Sequence, residues 1–130
     1  MGKSVKEWLK IAKYDLETAK AMLEKGRYLY VLFMCQQAVE KILKAIYNKH
    51  KKEFAPRTHN LTYLGDILNL EMDEKKKEFL AELNQFYLGS RYPGEQKELS
   101  EAIDKHKARF YWRKTKEVFQ WLEDILQSEK

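Results

Sequence analysis

The sequence has one cysteine, five glycines and two prolines in 130 residues. The lone cysteine, Cys35, excludes an intramolecular disulfide framework and a cysteine-rich metal site, and it is typical of a reducing cytosol. So little glycine and proline argues against a turn-rich β-sandwich or barrel. No apolar run approaches the roughly 18 residues of a membrane span, and the first residues lack the apolar stretch of a signal peptide. We therefore expect a cytoplasmic protein with no membrane partner.

The length predicts a single domain over residues 1–130. A chain of this size buries about two thirds of the surface that it exposes when unfolded, so a genuine core needs no covalent staples. Charged residues make up 35% of the chain and aromatic residues 13%, which indicates a soluble and heavily helical protein.

Apolar residues recur at spacings of three and four, and strand-like alternation is absent. The first helix is predicted over residues 4–25, from a capping box at Ser4 to a stop at Gly26. The second helix is predicted from residue 27 or 28 to 49. Its apolar face is broad, which is typical of a central helix that touches two or three neighbours.

Three further helices follow. A short one is capped by Thr58 or Asn60, a fourth is capped by Asp73, and a last long helix covers residues 99–127. The glycines and proline of residues 89–94 make the sharpest break in the chain. The predicted fold is all-α, a five-helix up-and-down antiparallel bundle with four long helices and one short one.

The net charge of +5 weakly favours an anionic partner. Two zones carry the excess: residues 41–60 hold six cations and one acid, and residues 101–116 hold six cations and two acids. They would make one positive surface if the fold brought them together, and otherwise they are solvated helix faces.

Motifs for metal and nucleophilic chemistry are missing. His50, His59 and His106 have no spacing that would place metal ligands on one helix face, and no phosphate-binding glycine loop is present. Cys35 lies on the apolar face of the second helix, where a small inert hydrophobe is favoured over a catalytic thiol. We expect no metal and no cofactor.

Polar residues on the second helix form the first candidate constellation. Gln36, Glu40 and Lys44 stack at intervals of four, with Gln37 beside them. They form either a surface ion pair of a few tenths of a kcal/mol or a row of donors and acceptors that lines a groove.

Two loop segments are the other constellations. In Arg57-Thr58-His59-Asn60, helix capping alone explains the threonine or the asparagine. In Ser90-Arg91-Tyr92-Pro93, an arginine after a helix C-terminus is favoured by the helix dipole. Alternatively, an arginine beside an aromatic ring in a rigid loop sets a phosphate clamp next to a base-stacking surface.

These segments together resemble the HEPN domain family, named for higher eukaryotes and prokaryotes nucleotide-binding. Residues 30–45, with Gln36, Gln37, Glu40 and Lys44, are similar to its second-helix signature. Thr58-His59-Asn60-Leu61 and Phe86-Tyr87-Leu88-Gly89-Ser90-Arg91-Tyr92-Pro93 resemble its next two motifs. The similarity spans about residues 4–125.

The resemblance implies a five-helix bundle, often dimeric, related to the substrate-binding domain of certain nucleotidyltransferases. Small free-standing members are commonly paired with a minimal nucleotidyltransferase in a toxin–antitoxin-like system. Other branches are metal-independent RNases in which about four to six residues separate an arginine from a following histidine. No arginine here has a histidine at that spacing.

The hypothesis is therefore a non-enzymatic protein that binds an ATP-like nucleotide or the nucleotidyltransferase that carries one. Arg91 would pair with phosphate, Tyr92 would stack on a base or shape the loop, and His59 would add a hydrogen bond or partial charge. The groove would be lined by Gln37, Glu40 and Lys44.

Two alternatives stay open. One is an RNase that acts on RNA through Arg57 or Arg91 with His59 across a dimer interface. The other is an interaction module in which these residues only fix loops.

Self-association is predicted from the last helix. Trp112 and Phe119 lie roughly 100° around the helix from the line of Tyr111 and Val118, so one neighbour cannot cover both sets. An exposed aromatic strip of this kind indicates a homodimer or higher homo-oligomer.

Overall fold

The computed structural model describes residues 3–128. Six α-helices and one 3₁₀ turn occupy this range, and no strand is present in it: α1 Val5–Glu24, α2 Tyr28–Lys51, α3 Leu61–Ile67, α4 Glu74–Asn84, the 3₁₀ turn Leu88–Ser90, α5 Pro93–Ala102 and α6 Lys105–Gln127. The predicted all-α bundle is confirmed, with one helix more than the sequence indicated. None of the helices in the described range is long and apolar enough to cross a membrane.

Both predicted ends of α1 are present. The Ser4 hydroxyl accepts a hydrogen bond from the Glu7 backbone N–H at 3.1 Å, and the Glu7 carboxylate accepts one from the Ser4 backbone N–H at 2.9 Å. The bond from the Ser4 backbone N–H lowers the pKa of the Glu7 carboxyl below its usual value. After the helix, Gly26 has a φ of 76°, a conformation that glycine adopts without strain.

Helix α2 is the centre of the bundle, as its broad apolar face predicted. It packs most extensively against α1 and next against α6. Cys35 is fully buried within it, and burial raises the pKa of its thiol to about 12, so the sulfur is an inert part of the core.

Specific contacts give the helix directions. The Lys49 ammonium donates to the Leu126 carbonyl, and Cys35 contacts Thr115 earlier along both helices, so α2 and α6 run parallel. Lys13 of α1 pairs with Glu123 at 2.8 Å.

Helix α4 lies antiparallel to α6. Lys76 lies over the Trp121 ring, 5.1 Å from its centroid, whereas the later residue Glu82 accepts a 2.6 Å hydrogen bond from Tyr111.

The predicted starting residue of the last helix is wrong. Its first part belongs to α5, which begins at Pro93, and α6 begins at Lys105. Ile103 is extended and buried between them, and the Asp104 carboxylate caps α6 by accepting from the Lys107 backbone N–H at 2.8 Å. A good N-cap and a buried anchor thus end one helix and start another.

The sequence pattern places Phe86, Tyr87 and Leu88 on the inner side of the fourth helix, but α4 is shorter than that. It ends at Asn84, so the buried residues Phe86 and Leu88 reach the core from the following turn.

The prediction of an exposed aromatic strip on α6 is wrong. Phe119 is buried, with 3% of its surface exposed, and Trp112 is half-buried beneath the Lys116 ammonium. The helix contacts several neighbours, so both apolar lines find cover. Phe110 is the exposed aromatic residue on this helix. Self-association stays a prediction without this support.

The two basic zones lie toward opposite ends of the bundle. Because α2 and α6 run parallel, the end of α2 at Lys49 lies beside the end of α6 at Leu126. The basic first half of α6 lies beside the first half of α2 instead. The zones therefore do not merge into one positive surface.

Candidate functional site

The Glu40 carboxylate is the centre of a buried polar cluster. Its Oε1 accepts from the Gln36 side-chain amide at 3.1 Å and lies 2.9 Å from Nδ1 of His59. Its Oε2 accepts from the Lys44 ammonium at 3.0 Å. Gln37 joins by donating to the Gln36 side-chain oxygen at 2.7 Å. We call these five residues the polar cluster.

The local sequence explains why the cluster forms. Residues four apart on a helix lie on the same face, which aligns Gln36, Glu40 and Lys44. The Gln36 amide also donates to the His59 backbone carbonyl at 2.9 Å, which ties the loop to α2. Directly after His59, Asn60 caps α3 by accepting from the Tyr63 backbone N–H.

The His59 ring is held on one face and at one edge. Its face stacks on Tyr87 with 3.8 Å between centroids and 12° between planes. Because a carboxylate only accepts, Nδ1 donates to Glu40, and in the neutral ring Nε2 is then an acceptor. The side chain is 49% exposed, so its outer edge faces solvent.

Gly89 permits the Tyr87 position. A Cβ at residue 89 would lie 2.3 Å from the Tyr87 hydroxyl, closer than any real contact. The turn after α4 thus contributes to the placement of His59 through the stacked Tyr87 ring.

Burial makes the cluster expensive to maintain. Glu40 is 3% exposed and Lys44 is 6% exposed. Removing such charges from water costs several kcal/mol per ion, which their attraction offsets only when the remaining hydrogen bonds are satisfied. Here both carboxylate oxygens of Glu40 accept hydrogen bonds, from Gln36 and His59 at Oε1 and from Lys44 at Oε2.

A pocket of about 310 Å³ adjoins the cluster through Lys44. We call it the basic pocket, and its lining includes three cations, two aromatic residues and no carboxylate: Lys3, Trp8, Lys44, Phe54, Ala55, Pro56 and Arg57. The ammonium groups of Lys3 and Lys44 lie 5.0 and 5.5 Å from the Trp8 ring centroid.

Arg91 and Tyr92 lie on the turn after Tyr87 but have other partners. The Arg91 guanidinium donates to the Gln85 carbonyl at 2.9 Å and lies 3.7 Å from the Glu95 carboxylate. Tyr92 is 77% exposed. The structure thus brings together Gln37, Glu40, Lys44 and His59, and leaves these two residues on a neighbouring turn.

Sequence reasoning missed Trp8, Phe54 and Tyr87 as site residues. Trp8 fits the apolar stripe of α1, so periodicity assigned it to the core. The two cations beside it come from residues 3 and 44, and only the packing of α1 on α2 brings these together.

A second, larger groove of about 500 Å³ lies between α4 and α6. We call it the mixed groove, because it combines an apolar floor with both signs of charge: Asp73, Lys75, Lys76, Glu78, Phe79, Glu82, Phe110, Lys114, Glu117, Val118 and Trp121. Burial and the Glu82 carboxylate raise the pKa of the Tyr111 hydroxyl well above its usual value. No group of side chains suited to a metal ion occurs in the described part of the chain.

The protein is a helical bundle. Within it, a buried glutamate–lysine pair holds a histidine that precedes a short helix. The HEPN domain family model matches residues 5–125, and the chain belongs to that family. The family places it among nucleotide-binding or ribonuclease-like helical proteins.

Two solved structures share the fold. TT1696 from Thermus thermophilus has 21% identity and a TM-score of 0.76, over 92% of this chain and 96% of that one. ST0689, described as an archaeal HEPN homologue, has 22% identity and a TM-score of 0.73, over 96% and 99%. No curated protein matches the sequence.

Proposed function

We propose that the protein binds a nucleotide at the surface where the polar cluster reaches solvent. The observation that carries this proposal is the position of His59, whose Nδ1 lies 2.9 Å from the buried Glu40 carboxylate while its outer edge faces solvent. Such an imidazole is ordered before a ligand arrives, which lowers the entropy lost on binding.

Each residue of the site has a separate role. His59 donates or accepts one hydrogen bond to the nucleotide. Glu40 and Lys44 are buried, so they act indirectly, by holding the other residues of the cluster in position. Gln37 offers its side-chain amide at the edge of the cluster. Arg91 approaches a phosphate by exchanging its contact with Glu95, and the exposed Tyr92 ring stacks on a base.

The physiological partner that we propose is a minimal nucleotidyltransferase, in a two-component system of the toxin–antitoxin type. Tyr92 supports this, since a tyrosine 77% exposed at the start of α5 is available to a protein partner. A cytoplasmic homodimer is the assembly that we propose to meet this enzyme.

Calorimetry with ATP tests the binding role. Wild-type protein and His106→Ala, which removes an exposed histidine on α6, are expected to release equal heats. We expect His59→Ala to bind about tenfold more weakly, the ordinary worth of one hydrogen bond. Equal binding by both variants would contradict the role of His59.

A second candidate function is metal-independent RNA cleavage. One observation favours it: Nδ1 of His59 lies on the Glu40 carboxylate, which leaves Nε2 on the solvent-facing edge as a candidate base, and Arg57 lies two residues away. Incubating the protein with RNA in EDTA separates the two functions. Cleavage that survives in His106→Ala and disappears in His59→Ala and Arg57→Ala would establish the enzyme, and intact RNA would contradict it.

A further inference from the structure

The basic pocket has an unbalanced charge. Among the described residues, neither Lys3 nor Arg57 forms an ion pair with a carboxylate, although the Lys3 charge acts on the Glu7 carboxylate from a longer distance. The Lys44 charge is offset by Glu40 at 3.0 Å. The Glu53 carboxylate is absent from the lining and accepts a 2.7 Å hydrogen bond from Tyr47. Arg57, and Lys3 in part, are therefore left to attract an anion.

The pocket also has an uncovered aromatic wall. Phe54 is 67% exposed and has no ring partner in the described part of the chain. Trp8, by contrast, lies beneath two ammonium groups and holds them in place. An exposed ring beside cations is the arrangement that takes a base and its phosphate together.

We propose that the basic pocket binds a nucleoside monophosphate, with the phosphate between Lys3 and Arg57 and the base against Phe54. A phosphate monoester carries about −1.5 to −2 charges at pH 7, which the two cations outside an ion pair can offset. The volume of about 310 Å³ is at the lower end of ligand pockets, which favours one nucleotide unit over a longer ligand. This inference rests on the proposed function, because Lys44 joins the pocket to the polar cluster, and it assigns the phosphate and base of a monophosphate to Lys3, Arg57 and Phe54 in place of Arg91 and Tyr92.

Calorimetry at low salt with adenosine monophosphate (AMP), adenosine and inorganic phosphate tests the ligand class. We expect AMP to bind at least tenfold more tightly than either fragment, because only AMP uses both the cations and the ring. Adenosine or inorganic phosphate binding as tightly as AMP would overturn the proposal.

Two matched pairs of variants test whether AMP binds in the basic pocket. Arg57→Ala is expected to weaken AMP about tenfold to a hundredfold, the range for a hydrogen bond to a charged group, and Arg113→Ala removes the same charge from an exposed site on α6 without effect. Phe54→Leu is expected to weaken AMP about tenfold, whereas Tyr14→Leu, at a ring 71% exposed on α1, leaves it unchanged.

The binding results distinguish a failure of the basic-pocket proposal from a failure of the proposed function. If AMP binding falls in His59→Ala but not in Arg57→Ala or Phe54→Leu, the pocket is overturned and the proposed function stands. If it falls in the pocket variants alone, the pocket is supported and the role of the polar cluster is overturned. If wild-type protein binds ATP but not AMP, only the monophosphate inference fails, and if it binds neither, both fail.

Discussion

The two grooves of this bundle differ in size and in charge. The mixed groove, about 500 Å³, has four acids and three lysines around an apolar floor, so its charges nearly cancel. The basic pocket, about 310 Å³, has three cations and no acid, and it joins a buried carboxylate through Lys44. The larger space is therefore the weaker candidate for an anionic ligand.

The two regions also differ in how their charged side chains are held, and the proposed site lies where polar groups are buried, not where the volume is largest. In the mixed groove, most charged side chains are exposed. In the polar cluster, every charge is positioned by a partner, at a cost in stability that a hydrophobic core would avoid. Substitutions in the two regions are therefore expected to have unequal effects.

The largest expected effect is that of Glu40→Ala. It leaves the Lys44 ammonium buried without its partner and removes the acceptor for Gln36 and His59. We expect the free energy of unfolding to fall by about 3–5 kcal/mol. Urea denaturation measures it, with Glu117→Ala in the mixed groove as a control expected to change it by less than about 0.5 kcal/mol. Similar losses in both variants would remove the distinction between the regions.

Gly89→Ala is expected to have the next largest effect. The added methyl displaces the Tyr87 ring, which costs about 1–3 kcal/mol and removes the stack on His59. Denaturation and the ring-current shift of the His59 proton signals measure the two consequences. Gly94→Ala is the matched control, since a Cβ there meets nothing within 4 Å. An unchanged His59 signal in Gly89→Ala would show that Tyr87 does not position the imidazole.

A smaller effect on the free energy of unfolding is expected when the pH is raised, through Tyr111 at the edge of the mixed groove. The folded state raises the pKa of Tyr111 above the ordinary value of 10.0, so folded protein holds this proton more tightly than unfolded protein does. The resulting stability is complete below pH 10 and is lost as the pH rises above it.

The free energy of unfolding of Tyr111→Phe should therefore fall less steeply above pH 10 than that of the wild type. A residual slope is expected from Cys35, whose pKa is raised from 9.0 to about 12. Identical slopes in wild type and variant would refute the assignment to Tyr111.

The smallest effect is expected from Phe110→Ser. Phe110 is 52% exposed and touches Tyr111 edge-on, with 5.6 Å between centroids. We expect a change in unfolding free energy within about 0.5 kcal/mol and unaltered nucleotide binding. Weaker ATP binding in this variant would move the site toward the mixed groove.

Local signals in the sequence predicted much of the fold. The Ser4 capping box, the positive φ of Gly26 and the Asn60 and Asp73 caps are all where the sequence placed them. These features depend on neighbours within a few residues. The division of the last helix was missed although Asp104 is a local N-cap signal for α6, because Ile103 ends α5 by tertiary burial, which no local pattern records.

The candidate site was predicted in part. Helical spacing aligned Gln36, Glu40 and Lys44, and resemblance to the family added His59. Neither approach could show that Tyr87 stacks on His59 or that Trp8 meets Lys44, because these contacts join residues far apart in sequence.

The most direct test of the proposed function asks whether His59 contacts the bound nucleotide. The chain has three histidines, so a titration followed through their imidazole NMR signals reports on His50, His59 and His106 separately. We expect ATP to shift the His59 signals in a saturable way and to leave the other two in place. Unmoved His59 signals at saturating nucleotide, or equal shifts of all three, would contradict it.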